Sequence, residues 1–395
     1  MKKRFLLTAA LAAGVFIGAD AQTKGTIKIA SQTPLSGGQS NLGTAIKNGA
    51  EMAIAEYKSV IERKYGFKVV YQPEDDQATA NVGVANANRL INDPDILGIV
   101  GHLNSGVAIP SSEVYAKVNL TMVSPANTNP RVTDRLSTAQ VTNRICGRDD
   151  VQGPVGADFV VNVLKAKRIY VLNNKTAYGE GIANAFAARA KQLGAKVLVE
   201  AGQEAADTDF SSFVNKAKAD KPDAIYFGAI YTEAAPMLKQ LRQAGLNMPL
   251  VGGDGFDGQD LQNTAGADNM KNIYFTTTAV PISQLPAAKA FATKYKAKYN
   301  ADPEGYSAYG YDAARVVIKA IEAVLKANGG VKPDRLDVAK AVRNVTFNGV
   351  TGKIALNSRG DLKVAKYVVI SAQPEYNNNK VIKSITFSAP EPEMK

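Results

Sequence analysis

"KRIYVLNN" (167–174), "GIANAFAARAKQLG" (181–194) and "AKVLVEAG" (195–202) decide the fold. The first run is apolar and β-prone, the second has helical spacing, and the third is again a strand. Gly194 stands where a helix C-terminal cap belongs. A strand, a helix and a second strand in this order form a parallel βαβ unit. The alternation continues through "DFSSFVNKAKAD", "DAIYFGAI", "TEAAPMLKQLRQAG", "MPLVGGDG" and the strand "NIYFTTTA" (272–279).

Upstream the same rhythm is present. "TIKIAS" (26–31) is a strand, a helix covers about 42–64, "FKVVYQ" (67–72) is a strand, and a helix spans 79–92. "DILGIVG" (95–101), a helical segment to about 117, and "NLTMVSP" follow. Two series predict an α/β protein of two similar doubly wound, parallel-sheet lobes. Two further helices are expected near 287–299 and 307–327, then a hairpin turning at 358–361 and a partly irregular tail after 372. The expected division is 22–149 with 281–346 for lobe 1, and 150–280 with 347–395 for lobe 2. A chain that returns to each lobe in this way makes a hinge.

The chain has 395 residues, more than one core usually organises. Its first 21 residues have a basic start (Lys2, Lys3, Arg4), a short apolar run, and Ala19-Asp20-Ala21 in a small-x-small pattern. That reads as an export signal cut after Ala21, and the run is too short to span a bilayer. The net charge is +11, and removing the signal leaves about +9, a basic surface. No dense Lys/Arg run or interleaving of basic and aromatic residues accompanies it, which argues against nucleic-acid binding. Cys146 is the one cysteine, so no intramolecular disulfide is possible.

Catalysis has little to rest on. His102 is the one histidine, which disfavours His-based metal sites and Ser/His or Cys/His nucleophile systems. Gly38 and Gly43 have phosphate-loop spacing, but Thr44-Ala45 stands where Lys followed by Ser or Thr is required. "YGEGIAN" carries Asn184 in place of the third glycine of a dinucleotide loop. Asp254, Asp257 and Asp260 lack the remaining ligands of a calcium loop. No cofactor is expected.

What remains are loops at the carboxyl ends of strands, where open α/β sheets bind ligands. "GIVGHLNSG" (98–106) places Ser105 at a helix start, as an N-cap or as part of an anion site. "SPANTNP" (124–130) leaves its strand with several hydroxyl and amide groups.

"VGHLNSG", "MVSPANTNP", "YGEG" and "GGDG", in this order, resemble the periplasmic leucine/isoleucine/valine-binding proteins of ABC importers. "D-x-x-QGP" (Asp149, Gln152, Gly153, Pro154) and "GDLK" (360–363) are similar to lobe crossings of that family. The resemblance covers essentially the whole mature chain. It implies a type I periplasmic binding protein clamshell with three hinge crossings, a periplasmic location and no enzymatic activity.

It further implies a ligand shell. Ser105 and Thr128 would hold an amino acid's α-carboxylate, and the Ala126 carbonyl its ammonium. Tyr178 and Asp254 would close on it from the second lobe. Asp254 stands where the family usually has Glu, Leu42 where an aromatic ring often covers the side-chain pocket, and Ile230 where a tyrosine is found. An aliphatic amino acid is the expected ligand. The implied partners are an ABC permease, met by peripheral contact at the membrane, and its ATPase subunits, with the protein itself a monomer. The same fold also serves free-standing periplasmic sensors of amino acids, amides or small carboxylates, the alternative reading.

Overall fold

The computed structural model describes residues 23–389. The export signal read over 1–21 lies outside the described residues. Among the described residues, no helix is long and apolar enough to cross a membrane.

The first lobe is built on β1 (Thr26–Thr33), β2 (Lys68–Asp75), β3 (Ile96–Gly101), β4 (Met122–Ser124) and β5 (Thr142–Arg144). These strands are parallel, in the order β2-β1-β3-β4-β5. Its crossover helices are α1 (Ser40–Tyr65), α2 (Ala80–Ile91) and α3 (Ser105–Ala116). β3 is buried along its whole length, as a parallel strand covered on both faces must be.

The second lobe repeats the plan. It has β6 (Arg168–Asn173), β7 (Lys196–Gly202), β8 (Ala224–Gly228), β9 (Leu250–Gly252) and β10 (Ile273–Thr277). The helices are α4 (Asp149–Asp158), α5 (Ala177–Gln192), α6 (Ser211–Asp220), α7 (Tyr231–Gln243) and α8 (Gln259–Ala265). The helix read over 181–194 ends as its sequence suggests, with Gly194 at a left-handed φ of 83° just beyond Leu193.

The chain then returns to the first lobe with α9 (Ala288–Tyr299), α10 (Gly305–Ala327) and α11 (Arg335–Val342). α10 lies directly on α1, and two glycines make this close approach possible. A Cβ on Gly49 would stand 2.0 Å from the Ser307 carbonyl oxygen, and one on Gly310 2.4 Å from that of Ile46.

A short hairpin follows, β11 (Thr346–Asn348) with β12 (Lys353–Ala355). Sequence reading hands the chain to the second lobe at 347, but this hairpin stays on α10. Asp312 of α10 accepts from both the amide and the hydroxyl of Thr351, each at 2.8 Å. The chain joins the second sheet with β13 (Val364–Ser371). The tail expected to be partly irregular has no strand over 373–379 and then forms β14 (Lys380–Ser388), antiparallel to β13. The second sheet therefore has seven strands, β14-β13-β10-β9-β8-β6-β7, with β13 antiparallel to β10.

Three crossings join the lobes: β5 to α4, β10 to α9, and β12 to β13. The first and third are tied to each other by charge. Arg144 is fully buried, and its Nε donates to Asp361 Oδ1 at 2.7 Å, while Arg148 Nη1 donates to Asp361 Oδ2 at 2.9 Å. Burial raises the affinity of Asp361 for a proton, but Arg144 and Arg148 outweigh it and hold the carboxyl below its ordinary range.

Candidate functional site

The carboxyl ends of β1, β3 and β4 face those of β6, β8 and β9 across the cleft, and a cavity of about 270 Å³ lies between them. Leu42, Ser105 and Ala126 line it from the first lobe, and Tyr178, Ile230 and Asp254 from the second. Six of the seven residues singled out in the sequence thus share one wall system. The seventh, Thr128, is buried just behind it, where its carbonyl accepts from the Asp149 amide at 2.9 Å.

Local chemistry explains how each loop is held. Ser105 is the first residue of α3, and the N-cap position belongs to Asn104, so Ser105 does not cap its helix. Its Oγ accepts weakly from the Asn129 amide at 3.4 Å. In "SPANTNP" the Ser124 hydroxyl folds the turn, accepting from the amides of Ala126 (3.2 Å) and Asn127 (2.8 Å). Arg144 grips the carbonyls of Asn127 and Asn129 from below, at 2.8 and 3.0 Å. Much of the polarity of this loop therefore serves its own shape. Across the cleft, Thr176 caps α5 by accepting from the Gly179 amide at 2.9 Å, which fixes Tyr178 in the first turn.

Asp254 is the centre of the second wall. Tyr178 and Gln152 both donate to its Oδ1 at 2.9 Å, and the Tyr306 hydroxyl donates to Oδ2. Burial pushes the Asp254 carboxyl up, and the hydrogen bonds from Tyr306, Tyr178 and Gln152 work against that rise. Asp149, fully buried in the first turn of α4, is a second carboxylate nearby. Neither of its oxygens has a hydrogen-bond partner, and the Thr128 hydroxyl sits near without closing one. Its carboxyl is pushed well up, by burial first and then by the negative charge of Asp254.

Tyr306, Gln152 and Asp149, which surround Asp254, are among the residues that sequence reading did not assign to the site. The signal for two of them was present in "D-x-x-QGP", which reads as a crossing; Tyr306 lies inside a helix and carries no loop signature.

This arrangement suits binding. Among the described residues, no Lys, Arg or His ion-pairs with Asp254 or Asp149, so two acids stand in low dielectric without an ion-pair partner. Leu42, Leu103 and Ile230 provide apolar surface beside them. The one histidine is elsewhere: His102 is fully buried, with Nδ1 at 2.9 Å from Asp76 and Nε2 at 3.3 Å from the Tyr115 hydroxyl. The Cys146 thiol is buried, and burial raises its pKa, which keeps it a poor nucleophile. The aspartates considered for calcium are turned to donors, Asp257 to the Tyr376 hydroxyl (3.0 Å) and Asp260 to Asn41 (2.6 Å).

Residues 26–373 match a protein-family model described as "Periplasmic binding protein". An "Amino acid binding protein" of Pseudomonas aeruginosa is 34% identical over 361 residues, covering 91% of this chain and 94% of that protein. The crystal structure of a leucine binding protein, LivK, from Thermotoga maritima superimposes with a TM-score of 0.81 at 30% identity, over 91% of this chain and 99% of that one. A branched-chain amino acid transporter substrate binding protein, LivJ, from Streptococcus pneumoniae, solved in complex with isoleucine, gives a TM-score of 0.80 at 25% identity, over 92% and 100%.

Proposed function

The chain belongs to the periplasmic binding protein family, and we propose that it captures an amino acid, most simply an aliphatic one, for an ABC importer. The observation that carries this reading is Asp254: a buried carboxylate on the wall of an interlobe cavity, with hydrogen-bond donors but no cation. A free amino acid brings the missing positive charge on its ammonium group. In a water-poor cavity that pairing is far stronger than in bulk solvent.

The remaining roles follow from placement. The Ser105 hydroxyl and the amide side of the 126–128 turn receive the α-carboxylate at the start of α3, where helix amides favour negative charge. The Ala126 carbonyl is a further acceptor for the ammonium, and Thr128 supports that turn from behind. Leu42 and Ile230 meet the side chain, and their aliphatic surfaces favour an apolar one. Tyr178 orients Asp254 while itself accepting from the Gly255 amide at 2.9 Å.

Capture begins on the open first lobe. Bending of the three crossings then brings Tyr178 and Asp254 over the ligand and excludes water. The closed form docks in the periplasm on a membrane permease, whose ATPase subunits drive transport. No chemical step on the ligand is involved.

A thermal-shift series on refolded protein tests the reading against all twenty amino acids, simple amides and short-chain acids. Refolding removes any ligand retained from expression. A ligand that binds the native state raises Tm by mass action, so an aliphatic amino acid at saturating concentration is expected to give the largest rise. A rise only with carboxylic acids that lack an ammonium group would refute the amino-acid assignment.

A further inference from the structure

Tyr306 is the second residue of α10, a helix that belongs to the first lobe through its contact with α1. Its hydroxyl nevertheless ends on Asp254 of the second lobe. The other two donors to Asp254, Tyr178 and Gln152, come from the second lobe and share Oδ1. Tyr306 takes Oδ2 alone. One of the three bonds that satisfy the buried carboxylate therefore exists only when the two lobes are together.

Other polar contacts cross the cleft, but they differ in kind. Asn41 donates to Asp260 at 2.6 Å in an exposed position at the rim. Tyr231 donates to the Gly38 carbonyl at 2.9 Å, and Asn129 to the Ala177 carbonyl at 2.5 Å, both neutral acceptors. The Tyr306 bond ends on a buried carboxyl group, where a hydrogen bond is strong and its loss is felt most.

The ring is held for this task. Tyr306 is 3% exposed and packs edge-on against Tyr309, with centroids 6.2 Å apart. The Tyr309 hydroxyl donates to the Thr278 carbonyl at 2.6 Å, in the crossing that leads from β10 to α9. The first turn of α10 is thus braced on a hinge segment at one side and on the ligand-facing carboxylate at the other.

We infer that Tyr306 is a positioning residue that couples lobe closure to the carboxylate of Asp254, acting as a latch between α10 and the second lobe. The inference rests on the amino-acid reading for its ligand but not for its geometry. An ammonium group and the Tyr306 hydroxyl are both donors to one anion, and closure brings both to it. Loss of the hydroxyl leaves the open lobe and its first encounter with ligand intact, while the closed state loses a bond. The consequence falls on escape of the ligand.

The test is Tyr306→Phe, which keeps the ring and its contact with Tyr309. Stopped-flow measurement with L-leucine, or with whichever amino acid of the panel binds most tightly, separates the two rate constants. The dissociation rate is expected to rise about tenfold, with association within about twofold of the parent. A role in packing alone would lower Tm and leave this split unchanged. Small-angle scattering of the ligand-free variant should give a larger radius of gyration than the parent, because the open form is favoured. Equal dissociation rates with superimposable scattering curves would overturn the inference. If the parent binds none of the twenty amino acids, the functional reading fails on its own, and the scattering comparison still decides the latch: a larger radius in the variant upholds it, an identical one removes it.

Discussion

Each lobe buries a charge near the floor of the cleft, and the two charges are treated in opposite ways. In the first lobe Arg144 is fully buried but answered: Asp361 lies 2.7 Å from its Nε, the carbonyls of Asn127 and Asn129 take its Nη1, and the Pro130 carbonyl and Thr133 hydroxyl take its Nη2. In the second lobe Asp254 is buried and answered only by neutral donors, with Asp149, another unpaired carboxylate, beside it. A buried charge with a partner in the same chain shapes the protein. A buried charge without one marks where a partner from outside belongs.

The difference can be broken by removing one acid at a time. Asp254→Ala should abolish amino-acid binding, because an ammonium left in the cavity would have no counter-ion. Breaking a buried pair costs about 3–5 kcal/mol, a loss of roughly a hundredfold or more in affinity by calorimetry. The ligand-free fold should keep or gain Tm, since a desolvated carboxylate is removed. Affinity unchanged with a lowered Tm would make Asp254 a structural charge like Arg144.

Asp361→Ala is the converse. It strands Arg144 and Arg148 in the crossings, and the expected loss is about 3 kcal/mol of folding stability, read as a clear drop in Tm. Ligand affinity should fall by much less, since Asp361 lies under the 127–130 turn and does not line the cavity. A variant with normal Tm and lost binding would show that the two charges have exchanged roles.

The legibility of the sequence follows the same division. Strands buried on both faces, such as β3 and β8, are short apolar runs between turns and are read directly. β14 is hidden because its side chains are mostly exposed, and its order comes from backbone pairing with β13, which no local pattern announces. The strand-end loops that reach the cleft are legible because topology sends such loops there, whereas the particular residues on them, Leu42 to Asp254, are assigned to the site only by the family resemblance. Tyr306 is not legible, because beside Tyr309 and Tyr311 in an apolar helix it reads as core. Asp149 and Gln152 stand in a recognisable motif, but their approach to Asp254 depends on how α4 packs against β10, where Gln152 donates to the Thr276 carbonyl at 3.0 Å. Ser105 was equally compatible with capping and with anion binding, and only the backbone assigns the cap to Asn104.

The smallest effect concerns acids that face one another across the closed cleft. Asp257 of the second lobe is pushed up to about 7, chiefly by burial, with the Tyr376 hydroxyl opposing and the charge of Asp254 adding to it. Glu304, next to α10 in the first lobe, is pushed up to about 7 by burial and then by the charges of Asp257 and Asp260. Their ordinary values are 3.8 and 4.5, so between those values and about 7 the folded state holds more protons than the unfolded one. Stability must then fall as pH rises through that window and level off above it. Asp361 has the opposite sign: its carboxyl is lowered in the fold, so its contribution is lost only under more acidic conditions. Together they predict a Tm several degrees higher at about pH 5 than at about pH 8, with a decline on further acidification. Asp257→Asn should reduce the neutral limb, leaving the shares of Glu304, Asp149 and Asp254, and keep the acidic one in place, because the acidic limb belongs to the answered charge of the first lobe and the neutral limb to acids raised by burial.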